Sequence, residues 1–259
     1  MKEQISIQDR ELAEEAKEAL ARYLARTGWK KFHLKAALID MDGVLYDSMK
    51  YHTLAWVKMM TEMGVPCTRE EFYAYEGMTG TATIALLLKR AFGKVLSDEE
   101  LREKYKIKTN YFKLDGKKEL MPGADRMLKS LMDADIDRVL VTGSAQSTLL
   151  GSLDGDYPGA FTPEKRVTAL DVKHGKPDPE PYLKGQLKAG AKPWECMVIE
   201  NAPLGVQSGV ASGSFTVAVT TGPIEREKFV EAGADMIFDS MPEFADALPQ
   251  LIDILKNNR

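Results

Sequence analysis

The sequence predicts an α/β fold: a doubly wound parallel sheet with a helical cap inserted after its first strand. Two observations predict the sheet. Short apolar runs recur from Ala36 onward ("AALID", "DRVLVTG", "RVTALDV", "CMVIENA", "FTVAVTTG", "ADMIF"), each of strand length and bounded by turn formers. Helical patterns separate most of them, which favours parallel pairing through helical crossovers. A third observation predicts the insertion. Between Ser48 and about Leu120 the alternation stops, and the stretch reads as helix throughout.

The elements follow in chain order. Residues 8–27 carry Leu12, Ala16, Leu20 and Leu24 at helical spacing, one apolar face to pack on the body or on a second subunit. "KAALI" is a buried strand stopped by "DMDG". The insertion holds "YHTLAWVKMMTEMG", "TGTATIALLLKRAFG" and "SDEELREKYKIKTNYFKL". In the last of these Ser97 stands three residues before Glu100, the spacing of a capping box. The expected division is a helical extension over 1–34, a core over 35–47 and 121–259, and a cap over 48–120.

Composition narrows the function. The 259 residues are 44% hydrophobic and 29% charged with a net charge of -4, which is ordinary for a soluble globular protein and gives no basic footprint for nucleic acid. No apolar run approaches a membrane span, and the N-terminus lacks the apolar segment of a signal peptide. Cys67 and Cys196 form no CxxC, so two reduced thiols in a cytoplasmic protein are expected. His33, His52 and His174 show no zinc spacing.

Four groups of residues fall at expected strand ends, where ligands bind in open α/β sheets. They are Asp40 with Asp42, Thr142 with Ser144, Lys176 in "HGKPDPEPY", and Glu200 with Asn201. Singly, each fits a plainer role: an Asx turn, a helix cap, a solvated lysine, a turn. Together they form one chemical kit. A carboxylate attacks phosphorus, a second acid moves protons, a hydroxyl and an ammonium hold oxygens, and a hard cation masks charge.

The order DxD, (T/S)G, K and (E/D)(D/N) resembles the four motifs of the haloacid dehalogenase (HAD) superfamily. "DMDGVLYDS", "KPDPEPY" and "ENAPLGV" resemble its β-phosphoglucomutase-like branch, over about residues 35–240. The resemblance implies that Asp40 is the nucleophile and forms an aspartyl-phosphate. It implies that Asp42 is general acid and then base, with its backbone carbonyl helping to bind Mg²⁺. Thr142 then binds the phosphoryl oxygens with help from Ser144, and Lys176 neutralises nucleophile and phosphoryl group. Pro177, Pro179 and Pro181 restrict the backbone around that lysine. The implied cofactor is Mg²⁺, held by Asp40, Asp42, Asn201 and Glu200. Asn201 replaces the acid common at its position, leaving one negative charge fewer, to be supplied by Glu200 or from elsewhere.

The cap loop "YEGMTG" stands where this branch presents its specificity residues. Mutases of the family resemble one another in carrying basic residues there, whereas this loop offers Glu76, Met78 and Thr79, with no Lys or Arg until Lys89 and Arg90. Glu76 is either a solvated loop residue or a contact to cation bound by a small substrate. His52 matches a position used near the acid/base residue, or is simply packed. Some members with a Glu in this loop and an Asn in the fourth motif resemble pyrophosphatases.

The expectation is a monomeric or weakly self-associating Mg²⁺-dependent phosphohydrolase acting on a small phosphorylated substrate, a sugar phosphate or pyrophosphate. Glu76, His52, Thr79 and Ser144 are its expected substrate contacts. A β-phosphoglucomutase is the alternative within the class, and a non-catalytic sugar-phosphate-binding protein the alternative outside it.

Overall fold

The computed structural model describes residues 7–144 and 147–257, so the first six residues of the expected extension lie outside it. Six parallel strands form one sheet: β1 (Ala36–Ile39), β2 (Asp137–Val141), β3 (Arg166–Val167), β4 (Cys196–Glu200), β5 (Phe215–Val219) and β6 (Met236–Phe238). Their order is β3-β2-β1-β4-β5-β6. The winding therefore reverses between β1 and β4, and the crevice outside the C-terminal ends of those two strands is the place such sheets bind ligands.

All four residues of β1 are fully buried, as a central strand covered on both faces requires. Its side chains alternate. Ala37 and Ile39 join the larger apolar cluster, while Ala36 and Leu38 join the smaller one with Val139, Val198 and Tyr182. Helices α1 (Ile7–Thr27) and α6 (Ala124–Asp133) and the last helix, Met241–Asn257, contribute to the larger cluster, and α8 (Glu180–Ala189) to the smaller. The α1 stripe packs on the body of the protein: Ala16, Ala19, Leu20 and Tyr23 are buried, the Tyr23 hydroxyl donates to the Gly213 carbonyl at 2.8 Å, and Arg26 pairs with Asp235 at 3.0 Å.

The run "RVTALDV" yields a strand of only two residues. Thr168 donates both its N–H and its hydroxyl to Asp171 at 2.8 Å, and this local turn takes the backbone out of the ladder.

Four helices follow β1: α2 (Met49–Glu62), α3 (Arg69–Ala74), α4 (Gly80–Phe92) and α5 (Asp98–Asp115). They enclose their own apolar cluster, with Trp56, Met60, Phe72, Ile84, Leu87 and Leu101 among its members. The expected capping box at Ser97 and Glu100 forms. The sequence reading passed over α3, which is a six-residue helix secured by a second box, Thr68 with Glu71.

The two chain segments joining these helices to the sheet lie side by side. Asp47 N–H donates to Glu119 O at 3.0 Å and Met121 N–H to Leu45 O at 2.9 Å. The Lys50 ammonium bridges Asp47 at 2.6 Å and Glu119 at 2.5 Å. Asp156, the last residue of α7 (Ser147–Asp156), holds both segments by accepting from the Tyr46 hydroxyl at 2.9 Å and the Lys118 ammonium at 2.7 Å. No helix among the described residues is long and apolar enough to cross a membrane.

Candidate active site

Asp40 follows β1 directly, Thr142 follows β2 and Glu200 ends β4, so the sheet brings three of the four groups to one edge. Lys176 reaches them from the loop before α8. Its side chain is 1% exposed and its ammonium contacts Asp40 Oδ1, Glu200 Oε1 at 2.5 Å and the Val141 carbonyl at 3.2 Å. Burial alone would pull this lysine down, but the facing carboxylates of Asp40 and Glu200 outweigh it and hold the group above its ordinary range. Burial pushes Asp40 up, Lys176 opposes that, and Glu200 and Asp42 add to it. Burial is the largest cause, and Lys176 is what favours the ionised form.

Asp42 is held differently. Ser48 donates to its Oδ1 at 2.5 Å, and His52 Nε2 lies 3.0 Å from the same oxygen. Burial raises this carboxyl, yet His52, Ser48 and the charge of Lys108 outweigh it and keep the group below its usual value. His52 stacks on Phe112 with ring centroids 4.0 Å apart, and its Nδ1 lies 2.6 Å from Lys108 Nζ. Burial and then Lys108 pull the imidazole down, outweighing Asp42, and so favour the neutral ring. The partners assign the tautomer: Nδ1 accepts from Lys108, and Nε2–H donates to Asp42.

Lys108, on α5, is the residue the sequence reading missed. It is 2% exposed, lines the cavity between the cap helices and the sheet, and sits over the rings of Trp56 at 5.1 Å and Phe112 at 5.4 Å. Burial pulls its ammonium down to about 7. The signal was present: Leu101, Tyr105, Lys108 and Phe112 share one helix face, with a lysine where an apolar residue would complete the stripe. Lys89 and Arg90, the sequence-based candidates for a cap cation, do not line the cavity. Lys89 is exposed, and Arg90 turns to Glu71 at 2.5 Å and the Pro66 carbonyl at 2.9 Å.

Three further expectations change. Glu76 is 8% exposed and no open loop residue: its Oε1 accepts from Asn201 Nδ2 at 2.8 Å, and burial pushes its carboxyl well up. Thr79 caps α4, its hydroxyl accepting from Ala82 N–H at 3.3 Å, and does not line the cavity. Glu200 gives both oxygens to the protein, Oε1 to Lys176 and to Tyr182 at 2.7 Å, Oε2 to the amides of Asn201 at 3.0 Å and Ala202 at 3.2 Å. It anchors the lysine and has no oxygen spare for a cation.

Thr142 and Ser144 line the cavity, with the Thr142 hydroxyl accepting from Ser144 N–H at 3.0 Å. The Glu76 loop presses on this turn. A methyl group on Gly143 would come within 2.7 Å of the Gly77 carbonyl oxygen, so only glycine lets the two loops meet.

The donor set fits a hard divalent cation. Asn201 Oδ1 is buried without a hydrogen-bond partner. The same side chain is held by Glu76, whose carboxyl in turn feels the charge of Asp40. Carboxylate and carbonyl oxygens of this kind suit Mg²⁺.

The family of haloacid dehalogenase-like hydrolases matches residues 34–213. Hexitol phosphatase A of Escherichia coli is 32% identical over 81% of this chain and 92% of its own. The β-phosphoglucomutase of Bacillus subtilis is 26% identical over 73% and 84%. A solved Bacteroides vulgatus structure, assigned provisionally as a β-phosphoglucomutase, is 45% identical, covers 94% of this chain and 99% of its own, and superposes with a TM-score of 0.89. With its motif residues gathered at one sheet edge and its sequence matched over most of its length, the chain belongs to the haloacid dehalogenase-like hydrolase family, as an enzyme of the phosphatase and phosphoglucomutase kind.

Proposed function

We propose that the protein is a Mg²⁺-dependent phosphohydrolase that works through an aspartyl-phosphate on Asp40, with inorganic pyrophosphate as the preferred substrate and small sugar phosphates next. The Asp40 carboxylate attacks phosphorus while Lys176 and Thr142 hold the phosphoryl oxygens. An anionic phosphoryl group arriving beside Asp42 favours its protonated form, and Asp42, steadied by Ser48 and His52, passes that proton from solvent to the leaving oxygen. It then takes the proton of the water that attacks the acyl phosphate, releasing phosphate and restoring Asp40. Asp40, the Asp42 carbonyl and Asn201 Oδ1 would hold Mg²⁺, with Glu76 reaching it from the cap loop. When bound there, it neutralises phosphoryl charge and orients the reacting group.

The observation behind the substrate choice is the burial of Glu76 against Asn201 beside the acid pair. A cap carboxylate repels a bare phosphate, so it suits a substrate that arrives with its own cation. Two features support the choice. The space left in the cavity is about 70 Å³, room for about five water molecules. Its cap side carries the ammonium of Lys108, a cation to meet an anionic group.

One observation favours the mutase reading. Lys108 supplies the cap cation that a bisphosphorylated intermediate needs. A phosphate-release panel with Mg²⁺ separates the two, using pyrophosphate, hexose phosphates and β-glucose 1-phosphate. Fastest release from pyrophosphate is expected. Conversion of β-glucose 1-phosphate to glucose 6-phosphate as the dominant reaction would reverse the order.

A further inference from the structure

Lys176 has three N–H groups and three acceptors: Asp40 Oδ1, Glu200 Oε1 and the Val141 carbonyl. Every donor is engaged before substrate arrives. For the ammonium to reach a phosphoryl oxygen, one acceptor must be released, and the oxygen left behind must not be stranded in a dry site, where an unpaired acceptor is costly.

Tyr182 stands where that cost is set. It is fully buried on α8 and does not line the cavity. Its hydroxyl donates at 2.7 Å to Glu200 Oε1, the same oxygen that Lys176 holds at 2.5 Å. Its ring lies under the ammonium, 5.1 Å from Nζ to centroid. A buried tyrosine commonly finds some acceptor, and a carbonyl would have served. Here the acceptor is the lysine's own counter-ion. The other Glu200 oxygen is fixed by the amides of Asn201 and Ala202, so the carboxylate cannot follow the ammonium.

We propose that Tyr182 is a positioning residue that acts through Glu200 and Lys176. Its hydroxyl keeps Glu200 Oε1 hydrogen-bonded while the Lys176 ammonium turns from that oxygen to the transferring phosphoryl group, and its ring face guides the turn. The contribution is made in the transition state, so it belongs to kcat and leaves KM unchanged. The proposal rests on the phosphoryl-transfer reading of the site.

The test is Tyr182→Phe, which keeps the ring and removes the hydroxyl. Activity is measured per folded molecule, with folding checked by circular dichroism. Expected are a kcat lower by about tenfold, the scale of one hydrogen bond to a charged group, an unchanged KM, and inhibition by vanadate weakened in parallel with kcat. Unchanged kcat and vanadate inhibition with only a lower melting temperature would make Tyr182 a packing residue and overturn the proposal. Should the variant not fold, 3-fluorotyrosine at 182 keeps ring and hydroxyl but donates more strongly. It should change kcat at constant KM, and an unchanged kcat overturns the proposal equally. Wild-type protein inert toward every phosphate compound would instead overturn the functional reading on which the proposal rests.

Discussion

Replacing Lys108 with methionine should make the protein more stable and less active. The lysine's ammonium is taken from an ordinary value of 10.5 down to about 7 by burial. At 1.36 kcal/mol per unit, holding the charged form inside costs about 5 kcal/mol. The folded chain releases this proton near pH 7, whereas the unfolded chain keeps it up to pH 10.5. Between these values the unfolded state binds more protons, so stability rises with pH, by about 3 kcal/mol from about pH 6 to pH 9 through this one group. Lys108→Met removes that slope. It also leaves His52 Nδ1 without its donor, which costs about 1–3 kcal/mol. The net gain at about pH 6 is on the order of 2–4 kcal/mol, shrinking toward zero in alkali. Urea unfolding of both proteins across this pH range measures it. A variant less stable than the parent at pH 6, with the pH dependence of the parent retained, would refute the reasoning. Phosphate release by the variant should fall, because the His52 ring that orients Asp42 loses its own support.

The remaining predictions address the core chemistry. Asp40→Asn keeps the shape and removes the nucleophile, so turnover should drop below detection in a folded protein, and retention of a tenth of wild-type activity would exclude attack by Asp40. Asp42→Asn should lose about 10²–10⁴ in kcat, and a loss smaller than tenfold would remove Asp42 as acid and base. Chelator should abolish phosphate release, Mg²⁺ should restore it and Ca²⁺ should inhibit, since its looser coordination misplaces the phosphoryl group; full activity in chelator would discard the cation. Glu76→Ala should cut pyrophosphate hydrolysis far more than hydrolysis of a bulky monoester. Equal effects on both would show that Glu76 does not reach substrate-bound cation.

The sheet and its edge residues were legible because their signals are local. Asp40, Asp42, Thr142 and Lys176 each sit beside an apolar run or a proline cluster that betrays a strand end. Lys108 was hidden in a helix with charges on every turn, where only the rotation imposed by packing on Trp56 and Phe112 decides which lysine faces inward. Glu76 was left open between solvent and a cation for a related reason. A loop is ordinarily exposed, and its burial follows from the contact of Gly77 with Gly143, two positions far apart in sequence. Thr79 had the right neighbourhood but the wrong job: a hydroxyl just before a helix serves the helix first. The apolar stripe of α1 announced a packing face without naming the surface that covers it.

The paired segments that carry α2–α5 act as a single strap. Tied to each other by two main-chain bonds, by Lys50 and by Asp156, they cannot shear or swivel separately. A movement of the helices above would then have to bend both segments together. Glu76, His52 and Lys108 all lie between those segments in the chain and would shift as one set. Asp40, Asp42, Thr142 and Lys176 stand on the other side of the strap, so such a movement would divide the site into two sets of groups, one fixed to the sheet and one carried above it.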